Sequence, residues 1–177
     1  LPREETTAPS APWRVLTQLS VEYVGLERKK CDYRPEELKR LTLEKIETHN
    51  PDFYIFTDGS TDGDQENGGA GVYIEDQCKE VVAEKSFPAG ELCSSYTGEC
   101  VALLEAIKWT KEMEKDGETL RVLICTDSRS LADALNQNHW KDDDPWLRQI
   151  KDLVYGLRAE VTLLWIPSHI PQRWTSR

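Results

Sequence analysis

The sequence has little of what marks membrane and secreted proteins. No stretch of the 177 residues approaches the roughly 18 uninterrupted apolar residues that a membrane span requires. The first five residues, LPREE, lack the basic flank and the apolar run of a secretory signal. We therefore expect an intracellular protein, nuclear or cytoplasmic, with no membrane partner.

Cysteine and methionine are also scarce. The five cysteines are an odd number and none form a Cys-x-x-Cys pair, which indicates neither a disulfide framework nor a zinc site. We interpret them as reduced thiols. Met113 is the single methionine and the chain begins at Leu1, so we expect a piece of a longer chain or a processed product.

Basic residues are outnumbered by acidic ones, and the imbalance is confined to one part of the chain. The formal net charge is −10, from 22 Lys and Arg against 32 Asp and Glu. Nine of each class lie in residues 1–50, which leaves 13 basic against 23 acidic residues in 51–177. A surface this acidic repels a polyanion unless metal ions or a basic neighbour compensate, which disfavours a bare nucleic-acid-binding module.

The hydrophobic pattern divides the chain near residue 50. Residues 1–50 predict a linker or tether with a short helix near 35–48, and residues 51–177 predict one α/β domain. The element order β-β-β-α-β-α-α-β indicates a mixed sheet with helices packed on it. The predicted strands cover 53–57, 70–74, 80–87, 120–126 and 161–166, and the longest predicted helix covers 95–115.

Three acidic residues occupy positions that the surrounding pattern predicts to be buried. Asp58 lies on the same face of its predicted strand as the apolar Tyr54 and Phe56, because alternate residues of a strand share a face. Asp127 stands likewise at the end of another predicted strand. Glu99 extends the apolar stripe of the longest predicted helix. An ionised carboxylate at such a position is costly unless something pairs with it. If the two strands are neighbours and the helix packs across them, the three carboxylates converge.

Mg²⁺ is the cation that suits such a set, because it prefers oxygen ligands and is commonly held by a few carboxylates. Two ions about 4 Å apart clamp the attacking and leaving oxygens of a phosphoryl displacement. We therefore predict two Mg²⁺ ions, for which Mn²⁺ is expected to substitute. Each acid alone has an ordinary alternative, a turn or cap for Asp58 and Asp127 and a solvated first-turn acid for Glu99. The joint pattern favours the metal site.

Four short motifs carry a family resemblance. They are FTDGS at 56–60, SYTGECVAL at 95–103, CTDS at 125–128 and WIPSH at 165–169. In this order they resemble the type-one ribonuclease H family, over about residues 51–170. The likeness is to the versions fused behind the reverse transcriptase of non-LTR retrotransposons, in which a tether precedes the domain.

The resemblance implies a fold, an activity and a set of site residues. The fold is a ribonuclease H-like mixed five-stranded sheet in the order 3-2-1-4-5, and the activity is metal-dependent hydrolysis of the RNA strand of RNA–DNA hybrids. A covalently linked reverse transcriptase is the implied partner in the full-length chain. Asp58, Glu99 and Asp127 become the metal-binding carboxylates, and His169 becomes a loop residue that assists the reaction or product release. The implied substrate-binding positions are Gly59, Ser60 and Ser128.

The sequence departs from the family pattern after His169. His169 itself, taken without the resemblance, is equally well interpreted as a surface histidine. Family members continue into a final helix that supplies a fourth carboxylate, whereas residues 170–177 contain no acid. We therefore expect this fragment to lack the helix that covers one side of the sheet, to expose an apolar patch there, and to bind the second ion weakly. Cleavage by the fragment is expected to be impaired.

Two other functions fit parts of the pattern. A 3′→5′ exonuclease of the related fold also uses carboxylates on these elements, but its motif begins Asp-x-Glu where this chain has Asp58-Gly59-Ser60. A catalytically degenerate ribonuclease H-like fold could instead act as a non-enzymatic spacer or nucleic-acid-binding module. The missing fourth carboxylate favours this alternative, and the three correctly ordered acids speak against it.

Overall fold

A computed structural model describes residues 19–58, 69–88, 95–136 and 144–167 of the chain. Within these ranges, six strands form one mixed sheet, and four α-helices pack on it. None of the described helices is both long and apolar enough to cross a membrane. The strands are β1 (Leu19–Tyr23), β2 (Phe53–Asp58), β3 (Gly69–Asp76), β4 (Val81–Pro88), β5 (Arg121–Thr126) and β6 (Glu160–Trp165), and the helices are α1 (Pro35–Thr48), α2 (Ser95–Met113), α3 (Arg129–Asn136) and α4 (Pro145–Tyr155).

The strand order across the sheet is β1-β6-β5-β2-β3-β4. β2, β3 and β4 form an antiparallel meander, whereas β1, β6, β5 and β2 run parallel. The mixed α/β class is confirmed, and the five strands from residue 53 onward stand in the expected 3-2-1-4-5 order. The expected number of five strands is wrong, because β1 adds a sixth strand beside β6.

The extra strand was not predicted because its local signal is weak. β1 has only five residues, LSVEY, and its partner β6 lies at the far end of the described chain. Five residues are too few for an alternation to stand out against the surrounding sequence. The division of the chain at residue 50 stays a prediction, to which the structure adds that the segment before it contributes β1 and α1.

Helices α2, α3 and α4 pack on one face of the sheet and form the larger core with it. Ile55, Ile124 and Leu163 point to this face from the three central parallel strands, and Leu103 and Ile107 reach them from α2. All five are at most 1% exposed. Full burial of one such side chain contributes about 1.5–3 kcal/mol, so this face supplies much of the hydrophobic stabilisation.

Helix α1 covers the opposite face. Its buried residues Leu38, Thr42 and Ile46 recur every four positions and therefore form one stripe along the helix. The sequence predicts an exposed apolar patch on one side of the sheet. Within the described part of the chain, α1 covers this face instead. Ile46 belongs to an apolar cluster with the sheet residues Tyr54, Leu123, Cys125 and Leu164.

Candidate active site

The carboxyl-terminal ends of β2, β5 and β6 meet at one edge of the sheet, because these strands are parallel. The register pairs Phe56 of β2 with Cys125 of β5. Asp58 and Asp127 each lie two positions further along, so they stand level on neighbouring strand ends. Both are partly exposed. The adjacency that the sequence argument required of these two strands is therefore present.

Glu99 reaches the same edge from the amino-terminal part of α2. It is only 6% exposed, and its Oε1 accepts a hydrogen bond from the Thr126 hydroxyl at 3.3 Å. The Thr126 oxygen in turn accepts a hydrogen bond from the backbone N–H of Ser128 at 3.1 Å. Thr126 therefore connects the buried carboxylate of Glu99 to the turn that carries Asp127.

The three carboxylates approach this edge from different sides of the sheet. Thr126 faces α2, as its bond to Glu99 requires. Asp58 shares the parity of Tyr54 and Phe56, which face α1. Consistent with this arrangement, no three His, Cys, Asp or Glu residues within the described ranges are grouped closely enough to hold a metal ion.

The donor chemistry of the set still fits the predicted ion. Carboxylate oxygens are the ligands that Mg²⁺ prefers, and Asp58, Glu99 and Asp127 come from elements that end at a common edge. The side chains as placed do not form a complete three-ligand site. Metal binding by this set therefore stays a prediction.

The remaining predicted site residues fall into two groups. Ser128 caps α3, because its Oγ accepts a hydrogen bond from the backbone N–H of Leu131 at 3.2 Å. Its predicted contact with substrate is not tested by this cap. Gly59, Ser60 and His169 lie outside the described residues, so their predicted roles stay predictions.

Two buried threonines beside the acids were missed by the sequence interpretation. Thr57 precedes Asp58 and donates its hydroxyl to the Cys125 carbonyl at 3.1 Å, and Thr126 precedes Asp127 and donates to Glu99. Both hydroxyls fix strand-end geometry next to a carboxylate. A Thr-Asp dipeptide that recurs at the ends of two strands was the signal that could have identified them.

The buried cysteines near this edge are not candidates for nucleophilic chemistry. Burial raises the pKa of the Cys100 thiol to about 12, and burial also raises the pKa of the Cys125 thiol. Both side chains are therefore protonated at neutral pH, whereas the thiolate is the reactive form of cysteine. The chemistry that this edge can support is that of its carboxylates.

The opposite edge of the sheet holds a cavity of about 390 Å³. Two acids in its lining are bonded to the backbone. Asp52 accepts from the N–H of Arg121 at 2.9 Å, and Asp76 accepts from the N–H groups of Cys78 and Glu80 at 2.8 and 3.0 Å. These acids hold turns in place, which is a structural use of a carboxylate.

Residues 50–172 match the family model described as RNase H, and no curated protein matches the chain. Two similar solved structures are RNase H1 of the halophilic archaeon Halobacterium salinarum NRC-1 (19% identity, 71% of this chain and 89% of that chain, TM-score 0.48) and LC11-RNase H1 in complex with an RNA/DNA hybrid (20%, 71% and 89%, TM-score 0.52). A third is the prototype foamy virus protease-reverse transcriptase (21%, 72% and 20%, TM-score 0.56). At these identities, the two likenesses with TM-scores of 0.52 and 0.56 show the fold alone.

Proposed function

The chain belongs to the ribonuclease H family, and we propose that it hydrolyses the RNA strand of RNA–DNA hybrids in a metal-dependent reaction. The observation that carries the proposal is that Asp58, Asp127 and Glu99 come from three elements that meet at one edge of the sheet. In addition, a protein of the same fold was solved with an RNA/DNA hybrid bound. Carboxylates at strand ends are suited to phosphoryl transfer once a divalent cation neutralises their mutual repulsion.

The side chains of this edge have distinct tasks in the proposed reaction. Mg²⁺, when bound, supplies activation of water and stabilisation of the leaving oxygen. Asp58 and Asp127 provide ligand oxygens from neighbouring strand ends, and Glu99 provides one from α2. The Thr126 hydroxyl orients the Glu99 carboxylate. Cations at this edge also offset the net charge of −10, which otherwise repels a nucleic acid.

The finer parts of the proposal rest on the motif resemblance. We propose that Mn²⁺ can replace Mg²⁺, that His169 assists the reaction or product release, and that Gly59, Ser60 and Ser128 contact the substrate. We also propose that the chain functions as part of a retroelement polyprotein, covalently linked to a reverse transcriptase. The order of the four motifs supports this origin, and the fold is shared with a protease-reverse transcriptase of which the chain covers 20%.

The test is cleavage of an end-labelled RNA–DNA hybrid in Mg²⁺ and in Mn²⁺, with single-stranded RNA and duplex DNA as control substrates. We expect cleavage of the RNA strand in the hybrid alone, weak in Mg²⁺ and stronger in Mn²⁺. Asp58→Asn should lower the rate at least about 100-fold, which corresponds to about 2.7 kcal/mol of lost transition-state stabilisation. Equal rates with and without Asp58 would refute the mechanism.

One observation favours the alternative of a catalytically degenerate fold that acts as a spacer or nucleic-acid-binding module. Among the residues that the structure describes, the three carboxylates are not grouped as a ready metal site. The same assay separates the two functions when hybrid binding is measured beside cleavage. Binding without cleavage in either ion would establish the module and exclude the enzyme.

A further inference from the structure

The edge strand β1 brings a residue from outside the family match to the candidate site. The match covers residues 50–172, whereas β1 precedes it and pairs with β6 so that Tyr23 lies opposite Trp165. The N–H of Val24 extends this pairing with a bond to the Trp165 carbonyl at 3.0 Å. Because β1 and β6 are parallel, Tyr23 lies at the same edge of the sheet as Asp58 and Asp127.

Tyr23 contacts two residues of α3, Arg129 through its ring and Asp133 through its hydroxyl. The Arg129 guanidinium carbon lies 4.6 Å from the centroid of the Tyr23 ring and 4.9 Å from that of Trp165. The Arg129 Nε contacts Asp133 at 3.1 Å, and the Tyr23 hydroxyl donates to the same Asp133 oxygen at 2.7 Å. The guanidinium therefore contacts two rings and one carboxylate, while 58% of the Arg129 side chain remains exposed.

The protonation state of Tyr23 supports this arrangement. Burial raises the pKa of Tyr23, and the hydrogen bond to Asp133 raises it further. The hydroxyl therefore remains a donor throughout the physiological pH range, and its bond to the Asp133 carboxylate persists.

The contacts of Tyr23 lead to two segments of the candidate site. Arg129 is the second residue after Asp127, and Trp165 is four residues before His169. The indole Nε1 of Trp165 has no hydrogen-bond acceptor among the described residues. Packing therefore holds this ring, including its contact with Tyr23, whose ring centroid lies 6.4 Å away.

We propose that Tyr23 is a positioning residue for the ribonuclease site, which acts by clamping Arg129 and Trp165 and so fixing the turn that carries Asp127. The segment before residue 50 is then part of the catalytic unit rather than a passive tether. The inference rests on the proposed function for its catalytic consequence, while the clamp itself is a property of the fold that can be measured separately.

The kinetic test compares kcat and KM for hybrid cleavage in Tyr23→Ala, Tyr23→Phe, Arg129→Ala and the Tyr23→Ala/Arg129→Ala double variant. Tyr23→Ala should lower kcat about tenfold with little change in KM, since small misplacements of reacting groups cost rate steeply. Tyr23→Phe keeps the ring and should recover most of the loss. The double variant should be no slower than the slower single variant, because one residue acts through the other.

Tyr33→Ala is the matched control. It removes another Arg-Tyr stack from the same segment, in which the Arg28 guanidinium carbon lies 4.3 Å from the Tyr33 ring centroid. All variants are assayed at a temperature where circular dichroism shows them folded. A kcat for Tyr23→Ala equal to that of the unaltered chain, or an equal loss in Tyr33→Ala, would overturn the inference.

Amide hydrogen exchange tests the clamp without reference to activity. The N–H groups of Ser128 and Leu131 are bonded within the turn and the cap that follow β5. Tyr23→Ala should speed exchange at these amides and leave the β2–β3 hairpin unchanged. Unchanged exchange, or a uniform rise across the sheet, would overturn the inference. If the unaltered chain cleaves no hybrid, the proposed function fails and this measurement alone decides the inference.

Discussion

The two edges of the sheet are both acidic, yet they use their carboxylates differently. At the edge with the cavity, Asp52 and Asp76 accept hydrogen bonds from backbone N–H groups and so hold turns in place. At the carboxyl-terminal edge, the partner described for Glu99 is a side chain, the hydroxyl of Thr126. Asp52 and Asp76 are therefore used for structure, whereas the acids at the carboxyl-terminal edge are the ones proposed to bind a cation.

The same contrast is found at the two ends of α2. Glu99 lies near its start and Glu114 lies just beyond its last residue, and both are largely shielded from solvent. The Glu114 carboxylate accepts hydrogen bonds from the N–H groups of Arg158 and Ala159, each at 2.6 Å. Burial opposes ionisation of Glu114, but these donors and the Lys111 ammonium outweigh it and lower its pKa. Glu114 therefore anchors the segment between α4 and β6.

The largest expected effect is on the rate of hybrid cleavage, which should depend on Glu99 and not on Glu114. Glu99→Gln should slow hybrid cleavage at least about 100-fold, or about 2.7 kcal/mol, because it removes a ligand charge from the candidate site. Glu114→Gln should leave the single-turnover rate of the folded protein within about twofold, or about 0.4 kcal/mol. Equal losses of rate in the two variants would remove the distinction between the two edges.

Stability should follow the opposite order. Glu114→Gln should lower the free energy of unfolding by about 1.5–3 kcal/mol, the usual contribution of hydrogen bonds to a charged group. Glu99→Gln should cost less, because it relieves repulsion from neighbouring acids. Urea unfolding of both variants at pH 7 measures the difference, and a larger loss in Glu99→Gln would contradict the assignment of Glu114 as the structural carboxylate.

The stability that Glu114 contributes should depend on pH with a defined sign. Its pKa is lower in the folded state than the ordinary value of 4.5. Its contribution is therefore complete above that value and is lost as the pH falls through the folded-state pKa. The difference in unfolding free energy between the unaltered chain and Glu114→Gln should shrink as the pH is lowered from 6 to 3. Urea unfolding at intervals of about one pH unit measures this difference. A difference that grows towards low pH would contradict this.

Divalent cations should stabilise the folded protein by binding only at the carboxyl-terminal edge of the sheet. At ten times its Kd, Mg²⁺ should add about 1.4 kcal/mol to the folded state, which raises Tm by a few degrees. Asp127→Asn should reduce this gain, whereas the control variant Asp76→Asn should keep it in full. Differential scanning fluorimetry with and without Mg²⁺ and Mn²⁺ checks both variants, and an equal gain in all three proteins would place the cation elsewhere.

The smallest expected effect concerns the cap of α3. Ser128→Ala should cost about 1 kcal/mol of stability, because the Leu131 N–H loses its acceptor. Ser128→Thr should keep most of the cap. If Ser128 also contacts substrate, KM for the hybrid should rise in Ser128→Ala measured well below its Tm. An unchanged KM would restrict Ser128 to the capping role.

The elements that could be predicted from the sequence are those with a long local signal. β2 and β5 are continuous apolar runs, and α2 carries its apolar stripe over many turns. The candidate acids stood out for the same reason, since Asp58, Glu99 and Asp127 interrupt those patterns. A position that breaks a strong pattern is visible without any knowledge of its neighbours.

What could not be predicted depends on contacts between distant segments. Tyr23 and Trp165 meet only because β1 pairs with β6, and no local pattern encodes a pairing over that separation. The approach of the acids from two sides of the sheet also depends on which helix covers which face. Sequence reasoning expected one face to be bare, whereas α1 covers it.

The pairing of β1 with β6 also has a consequence for how the chain is made. Of the strands that the structure describes, β1 is the first to be synthesised and its partner is the last. At about 5–20 residues per second, β1 waits on the order of ten seconds for β6 to be translated. During that interval its backbone donors and acceptors have no strand to pair with, and pairings between such distant segments form slowly. The nascent chain therefore carries an unpaired strand until β6 has been translated, and an unpaired strand is a site for aggregation or chaperone binding.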